Sequence, residues 1–316
     1  MPDKMTRMRR ASEEGRRFRP RMLAIGGDSA SGKTTISKGL VQALGPERCS
    51  IVGTDDYHRY ERGERKPLPF TPLHPRCNYV EIMEQHLQLL AMGQPILKPV
   101  YSHENGQLVR PELIEPKEYV IVEGLLPLYT KLARACFDVT VYLDPPEDIR
   151  YKWKVERDTS DRGYEEEEVT EQLKKREPES EAFIRPQRNH ADIVVRFGPI
   201  EGREDPPDTP LSGTVLLRPT IPHPPLSEIL DDSGQHRWTI HLKLIRDEDG
   251  RPVDSLHIHG YAPREDSQMV AKLIWEALGR EDPLPESLGE LKPDQRSEPL
   301  ALTQLILLYH LLRGPE

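Results

Sequence analysis

Apolar positions along the first two thirds of the chain fall into short unbroken runs separated by helical patterns. Met22-Leu-Ala-Ile25, Ser50-Ile-Val-Gly53, Tyr119-Val-Ile-Val122, Val139-Thr-Val-Tyr-Leu143 and Asp192-Ile-Val-Val-Arg-Phe197 each read as a buried strand. From Thr35 to Leu44 the apolar residues Ile36, Leu40, Val41 and Leu44 share one helical face. Val80 to Met92 predicts a second helix, with Asn78 and Glu81 spaced like a capping box, and Pro127 to Cys136 a short third one. Strands that alternate with helices predict an α/β fold, a mostly parallel sheet flanked by helices. Ligands bind such a sheet beyond the carboxyl ends of its strands, so the residues after each strand carry the functional argument.

The pattern changes after Phe197. Gly198 to Leu226 contains Pro199, Pro206, Pro207, Pro210, Pro219, Pro222, Pro224 and Pro225, the composition of a linker or loop-rich passage. Beyond it, Trp238, Ile240, Leu242 and Leu244 alternate with Thr239, His241 and Lys243, and Leu256 and Ile258 alternate with His257 and His259. This is the period of half-buried antiparallel strands. Leu300 to Leu312 reads as a final apolar helix. The predicted organisation is a disordered basic arm over residues 1–21, an α/β domain over 22–197, and a Pro-rich connection with a carboxyl-terminal α+β extension over 198–316, packed on the core.

Composition narrows the function. A net charge of −9 gives no electrostatic reason to expect nucleic-acid binding. Charged residues make up 31% and the mean hydropathy is −0.66, the profile of a soluble protein. No apolar stretch approaches the roughly 20 residues of a membrane helix. The arm carries Lys4, Arg7, Arg9, Arg10, Arg16, Arg17, Arg19 and Arg21 without the apolar core of a secretory signal. Cys49, Cys77 and Cys136 have no metal-like spacing and suit a reducing, cytoplasmic setting.

Gly27-Asp28-Ser29-Ala30-Ser31-Gly32-Lys33-Thr34 fits G-x-x-x-x-G-K-[ST], between a predicted strand and a predicted helix. Glycines let backbone N–H groups converge on phosphate oxygens, and the helix N-terminus adds a favourable dipole. Lys33 would neutralise terminal phosphates and the Thr34 hydroxyl would bind Mg²⁺, so the chain is expected to bind a nucleoside triphosphate. A chance match in a Gly/Ser loop would lack that strand–loop–helix order.

Three further segments lie at strand ends. Thr54-Asp55-Asp56-Tyr57-His58-Arg59-Tyr60-Glu61-Arg62 places two carboxylates, a histidine and two arginines together; alone it also reads as a charged surface loop. A carboxylate there can accept a hydroxyl proton, and arginine forks suit a phosphate on the acceptor. Glu123 ends an apolar strand, the position of a Mg²⁺-binding carboxylate. Lys154, Arg157, Asp158 and Arg162 share one helical face and could close over phosphates, although an ordinary salt-bridged helix surface has the same pattern.

Together these segments resemble the phosphoribulokinase/uridine kinase family of P-loop kinases, and its phosphoribulokinase branch in particular. The pieces are Gly27 to Thr34, Asp55-Asp-Tyr-His-Arg59 with Arg62, Lys98-Pro-Val-Tyr-Ser-His103, Val122-Glu-Gly-Leu125, Tyr142-Leu-Asp144 and Lys154-x-x-Arg-Asp158-x-x-x-Arg162. The likeness runs from Leu23 to Val195, and includes Pro75-Arg76, Pro111-Glu-Leu-Ile114 and Arg185-Pro-Gln187. It implies ATP-dependent phosphorylation of D-ribulose 5-phosphate to D-ribulose 1,5-bisphosphate, a step of carbon fixation in the Calvin cycle, with Mg²⁺ and a homodimer or higher homo-oligomer. It implies that Asp55 is the general base, with Lys33 and Asp158 also at the reacting centre. ATP would be held by Gly27, Asp28, Ser29, Ala30, Ser31, Gly32, Lys33, Thr34 and Thr35, with Arg157 and Arg162. The sugar phosphate would be held by His58, Arg59, Arg62, Tyr101, His103 and Lys154, and Mg²⁺ by Thr34 and Glu123. Asp158 has a second reading, in which it orients Arg157 or Lys154. Ser31 and Gly53 stand where the light-regulated plant and cyanobacterial members carry cysteines, and no cysteine follows Cys136, so their thiol regulation does not carry over.

Three rivals remain. A nucleoside or other small-metabolite kinase of the same family would need base stacking, against which the Arg59, Arg62, His103 and Lys154 cluster favours a phosphorylated sugar. A non-catalytic nucleotide-sensing partner of a carbon-fixation complex could lose Lys33, Thr34, Asp55 or Glu123, yet all are present. A metal-binding module could use His241, His257 and His259, of which the last two share a strand face, although strand histidines are usually just solvated.

Overall fold

Strand β1 (Arg21–Gly27) is central to the eight-stranded sheet that organises the described residues. The computed structural model describes residues 18–200, 206, 209–232, 239–292 and 295–313. Most of the expected basic arm, and Trp238, lie outside them. The remaining strands are β2 (Cys49–Gly53), β3 (Ile96–Ser102), β4 (Gln107–Ile114), β5 (Tyr119–Gly124), β6 (Val139–Leu143), β7 (Ile193–Gly198), β8 (Ser212–Leu217), β9 (Ile240–Arg246), β10 (Pro252–Ile258) and a short pair near residues 290–296. The sheet order is β2-β5-β1-β6-β7-β8-β10-β9. Pairs from β2 to β7 are parallel, and those from β7 to β9 antiparallel. This is the expected mostly parallel α/β sheet with an antiparallel carboxyl-terminal part.

Alternation along β1 sends Leu23 and Ile25 into one core and Met22 and Ala24 into the opposite face. With helices on both faces, the parallel strands are buried almost throughout, which is why they read as unbroken apolar runs. The expected helices form at Lys33–Leu44 and Val80–Ala91. The third shrinks to the single turn Lys131–Arg134, where the Thr130 hydroxyl accepts from the Ala133 N–H at 3.1 Å.

Three features depart from the sequence reading. The capping box at Asn78 and Glu81 does not form: Tyr79 is the N-cap residue, and the Asn78 amide donates to the carbonyls of Pro72 (2.9 Å) and His74 (3.0 Å) instead. A buried amide with loop carbonyls in reach satisfies them before a helix end. Strand β8 lies inside the Pro-rich passage and carries the sheet on from β7. Leu244 is 75% exposed, because β9 is the sheet edge.

The helix Glu298–Leu312 is buried on nearly every face. It packs on the helix Lys33–Leu44 at Gly39, where a Cβ would come within 2.0 Å of the Gln304 amide nitrogen. A larger residue at that position would force the Gln304 amide to move. The Gln304 amide donates to the Thr35 carbonyl (3.3 Å) and its oxygen accepts from Gly289 N (2.8 Å).

A buried ion network fastens the β9–β10 hairpin to the core. Arg188 donates to Asp144 (2.9 Å) and Asp247 (2.8 Å), and Arg218 donates to Asp247 (2.6 Å). The Asp247 carboxylate is 1% exposed. No helix among the described residues is long and apolar enough to cross a membrane.

Candidate active site

The loop between β1 and the helix Lys33–Leu44 has the backbone that its glycines predict. Gly27 has φ +147° and a Cβ there would meet the Leu143 carbonyl and the Ser31 hydroxyl at 2.7 Å. Gly32, at φ +94°, is the N-cap residue. Ala30 adopts the left-handed region at φ 63°, a strained choice for a residue with a Cβ. The Lys33 ammonium donates to the carbonyls of Gly27 (2.9 Å) and Asp28 (2.6 Å). Burial pulls its pKa below the ordinary lysine value, while Asp55, Asp28 and Glu123 pull it up and Arg157 pushes it down. Lys33 is thus the point where the expected donor, metal and acceptor groups meet electrostatically. The Asp28 carboxylate is engaged with the Ser180 hydroxyl and lies 3.8 Å from Arg150, which leaves its backbone to the cradle.

Glu123 ends β5 beside this loop. Its two oxygens accept from the Thr34 hydroxyl (3.4 Å) and the Ser37 hydroxyl (2.8 Å). Hydroxyl and carboxylate together are a hard oxygen donor set suited to Mg²⁺. Ser37 was not singled out from sequence; it lies one turn beyond Thr34 on the same helix face, which is the signal that could have found it.

The residues expected to hold the acceptor lie on the turn Thr54–Tyr57, the short helix Arg62–Arg65 and the β3–β4 hairpin. The structure separates the two adjacent carboxylates. Asp56 is half-buried against the hairpin, paired with Lys98 and accepting from Tyr101 N at 3.0 Å. Asp55 is 39% exposed, 4.0 Å from His103 Nε2. His58 is buried, its Nδ1 2.7 Å from Asn78 Oδ1 and its ring 4.8 Å edge-on to Tyr101. Burial holds its pKa below the usual imidazole value. Arg62 donates to the His103 carbonyl at 2.5 Å. Arg59 lies over the Tyr79 ring (5.0 Å) and 3.8 Å from Glu81. Arg65, missed in the sequence reading, donates to the Tyr101 hydroxyl, stacks over its ring at 5.0 Å, and keeps a buried Nη1 with no partner. It lies three residues beyond Arg62, again one helical turn.

The helix Glu147–Arg162 lies against the phosphate loop. Lys154 and Asp158 are each 2% exposed and form an ion pair. Arg157 donates to Asp158 (2.9 Å) and reaches Ser29 Oγ (3.4 Å). Burial pushes the Lys154 ammonium down to about 8, against the pull of Asp158. Burial alone would raise Asp158; its bonds to Lys154 and Arg157 overcome this and hold it below the usual carboxylate value. Asp158 therefore touches two cations, Lys154 and Arg157. Arg162 ends the helix, and its side chain lies outside the described residues.

A sequence model of the phosphoribulokinase/uridine kinase family matches residues 22–202. The chain belongs to this family. It is 38% identical over 184 residues to phosphoribulokinase from Synechocystis sp., covering 58% of this chain and 55% of that protein. To the chloroplastic phosphoribulokinase of Spinacia oleracea it is 30% identical over 197 residues, 57% of this chain and 49% of that one. A uridine kinase from Pasteurella multocida is 34% identical over 187 residues, 56% of this chain and 86% of that protein. The chain thus spans about half the length of the curated phosphoribulokinases it matches. In fold it resembles the phosphoribulokinase structure from Rhodobacter spheroides, with a TM-score of 0.59 at 16% identity over 82% of this chain and 97% of that one. The likeness covers more than the sheet's parallel half, so the antiparallel extension belongs to a known architecture.

The three cysteines of this chain are poorly placed for thiol exchange. Cys49, Cys77 and Cys136 are free and buried, and burial pushes Cys49 and Cys77 up to about 11 and Cys136 up as well. Thiol exchange needs an accessible thiolate. Activity measured before and after dithiol treatment, with thiols counted in parallel, is expected to stay unchanged. A several-fold activation with release of two thiols would contradict this. His241 and His257 are cross-strand partners with ring centroids 4.9 Å apart, but among the described residues no three His, Cys, Asp or Glu are placed to hold an ion.

Proposed function

We propose that this chain transfers the γ-phosphoryl group of ATP to D-ribulose 5-phosphate, giving D-ribulose 1,5-bisphosphate and ADP. The observation that carries the proposal is the cationic acceptor side. Arg65, His58 and His103 lie against Tyr101, Arg62 reaches the His103 carbonyl, and the two arginines bring positive charge beside the half-buried Asp55, while Lys98 has neutralised the neighbouring Asp56. Guanidinium forks bind a phosphate dianion bidentately, whereas a nucleoside acceptor carries no such dianion. The curated phosphoribulokinase relatives support the same substrate.

In this reading Asp55 accepts the proton of the attacking hydroxyl on a carboxylate oxygen, and His103 lies 4.0 Å from that carboxylate. Thr34 and Glu123 would hold Mg²⁺, which when bound draws negative charge off the transferred group. Lys33 stands in the loop to neutralise phosphate oxygens, and Arg157, steered by Asp158, approaches from the facing helix. Backbone N–H groups of Gly27 to Thr35 complete the cradle.

The test is ADP release across ribulose 5-phosphate, uridine, glycerate and pantothenate. Turnover with ribulose 5-phosphate above the others by orders of magnitude is expected; preference for uridine would replace the proposal. Arg62→Ala is expected to raise the KM for ribulose 5-phosphate on the order of 10–100-fold, the loss of one charge-assisted phosphate contact of about 1.5–3 kcal/mol. The KM for ATP should change less than twofold. Equal rises in both would assign Arg62 to the nucleotide or to the fold.

A further inference from the structure

Two neighbouring residues not assigned to the chemistry make contacts toward both halves of the site. The helix Glu166–Glu179 contains Pro178, which lacks an N–H, and it passes into a π-helical turn at Ser180–Ile184. Such turns break the regular ladder and re-aim consecutive side chains. Glu179 accepts from Thr71 N with both carboxylate oxygens (2.9 and 3.0 Å) and from the Thr71 hydroxyl. Ser180, 2% exposed, donates to the buried Asp28 carboxylate.

Each contact leads to one side of the chemistry. Asp28 Oδ1 accepts from Ser29 N at 3.1 Å and its carbonyl accepts from Lys33, so Ser180 fixes the phosphate loop. Thr71 opens the loop whose Pro72 and His74 carbonyls accept from the Asn78 amide, and Asn78 Oδ1 in turn meets His58 Nδ1. His58 N donates to the Asp55 carbonyl (3.3 Å). Glu179 therefore fixes the acceptor side.

We propose that Glu179 and Ser180 form a bracket that sets the separation of donor and acceptor, and that both are positioning residues for phosphoryl transfer. Reaction rates depend steeply on that separation, since productive geometry requires reacting atoms about 3–3.5 Å apart. The bracket rests on the assignment of Asp55 and His58 to the acceptor and of the phosphate loop to the nucleotide.

The experiment compares Ser180→Ala, Glu179→Gln, their combination, and Thr71→Val, each checked for native Tm. Direct ADP binding needs no acceptor, so it tests the donor half whatever the acceptor proves to be. Ser180→Ala is expected to weaken ADP binding about 3–10-fold and Glu179→Gln less than twofold, the scale of one hydrogen bond. With the acceptor that the wild-type enzyme turns over, Glu179→Gln and Thr71→Val are expected to raise its KM about 3–10-fold, and Ser180→Ala less than twofold. Opening either end frees the same distance, so the combined variant should lose no more kcat than the worse single variant. Multiplied kcat losses, equal effects of both variants on both ligands, unchanged ADP binding in Ser180→Ala, or a change in Tm alone would each overturn the bracket. A wild type that rejects ribulose 5-phosphate but turns over another acceptor would count against the proposed substrate and leave these comparisons intact.

Discussion

Asp55→Asn is expected to lower kcat on the order of 10²–10⁴-fold while ATP still binds, because in the proposed reaction Asp55 takes the hydroxyl proton. The adjacent Asp56 cannot substitute. Its oxygens are committed to Lys98 and to Tyr101 N, and it faces the hairpin. Asparagine keeps the shape of Asp55 and its distance to His103 but cannot be protonated at neutral pH. The loss should therefore appear in kcat, and nucleotide affinity should stay near the wild-type value. ADP release at saturating acceptor, with nucleotide binding measured on the same preparation, separates the two. A variant with near-normal kcat would remove Asp55 from proton transfer and direct attention to His103.

The second large effect concerns stability. Asp247→Ala leaves Arg188 and Arg218 as buried cations without their shared carboxylate. Removing one partner from a buried ion pair costs about 3–5 kcal/mol, which in a chain of this size lowers Tm by roughly 5–15 °C. Burial alone would raise the Asp247 pKa; its bonds to Arg188 and Arg218 bring it down to about 2, from an ordinary value of 3.8. A depressed carboxylate pKa gives stability that is fully present above the ordinary value and lost as pH falls through the depressed one. The Tm gap between wild type and Asp247→Ala should thus be widest near neutrality and narrow between about pH 4 and pH 2. Thermal unfolding at pH 7 and pH 3 checks both parts. A gap that is small at pH 7 would show that the two arginines find other partners.

What could be read from sequence was local. The phosphate loop was legible because strand, glycines, lysine and helix adjoin, and the parallel strands because burial on both faces leaves unbroken apolar runs. Ser212-Gly-Thr-Val-Leu-Leu217 was hidden by its surroundings: prolines on both sides gave the passage the composition of a linker, although the run itself is strand-like. Asn78 matched a capping pattern, but its amide met carbonyls that only the folded loop brings near. The face shared by Lys154, Arg157 and Asp158 was readable from spacing, whereas their burial against the phosphate loop was not. Glu179 sits in a glutamate-rich helix that reads as a solvated surface, and its partner Thr71 is far away in sequence. Residue type and spacing identify chemistry; they do not say which of several like groups the fold will turn inward.

The antiparallel joint between β7 and β8 has a consequence for how the chain is made. A ribosome delivers the parallel strands first, and for a time β7 is the last of them. Its Ile193, Val194 and Val195 then border an edge with open N–H and C=O groups, a template for pairing with other chains. The nascent molecule stays sticky until Ser212–Leu217 arrives, and the helix Lys33–Leu44 keeps an uncovered flank at Gly39 until Glu298–Leu312 follows. A chain shortened at Gly198 would be held in that state, recovered in the insoluble fraction rather than as a smaller working kinase. Its recovery as a soluble, ATP-binding monomer would show that the joint can be opened without harm.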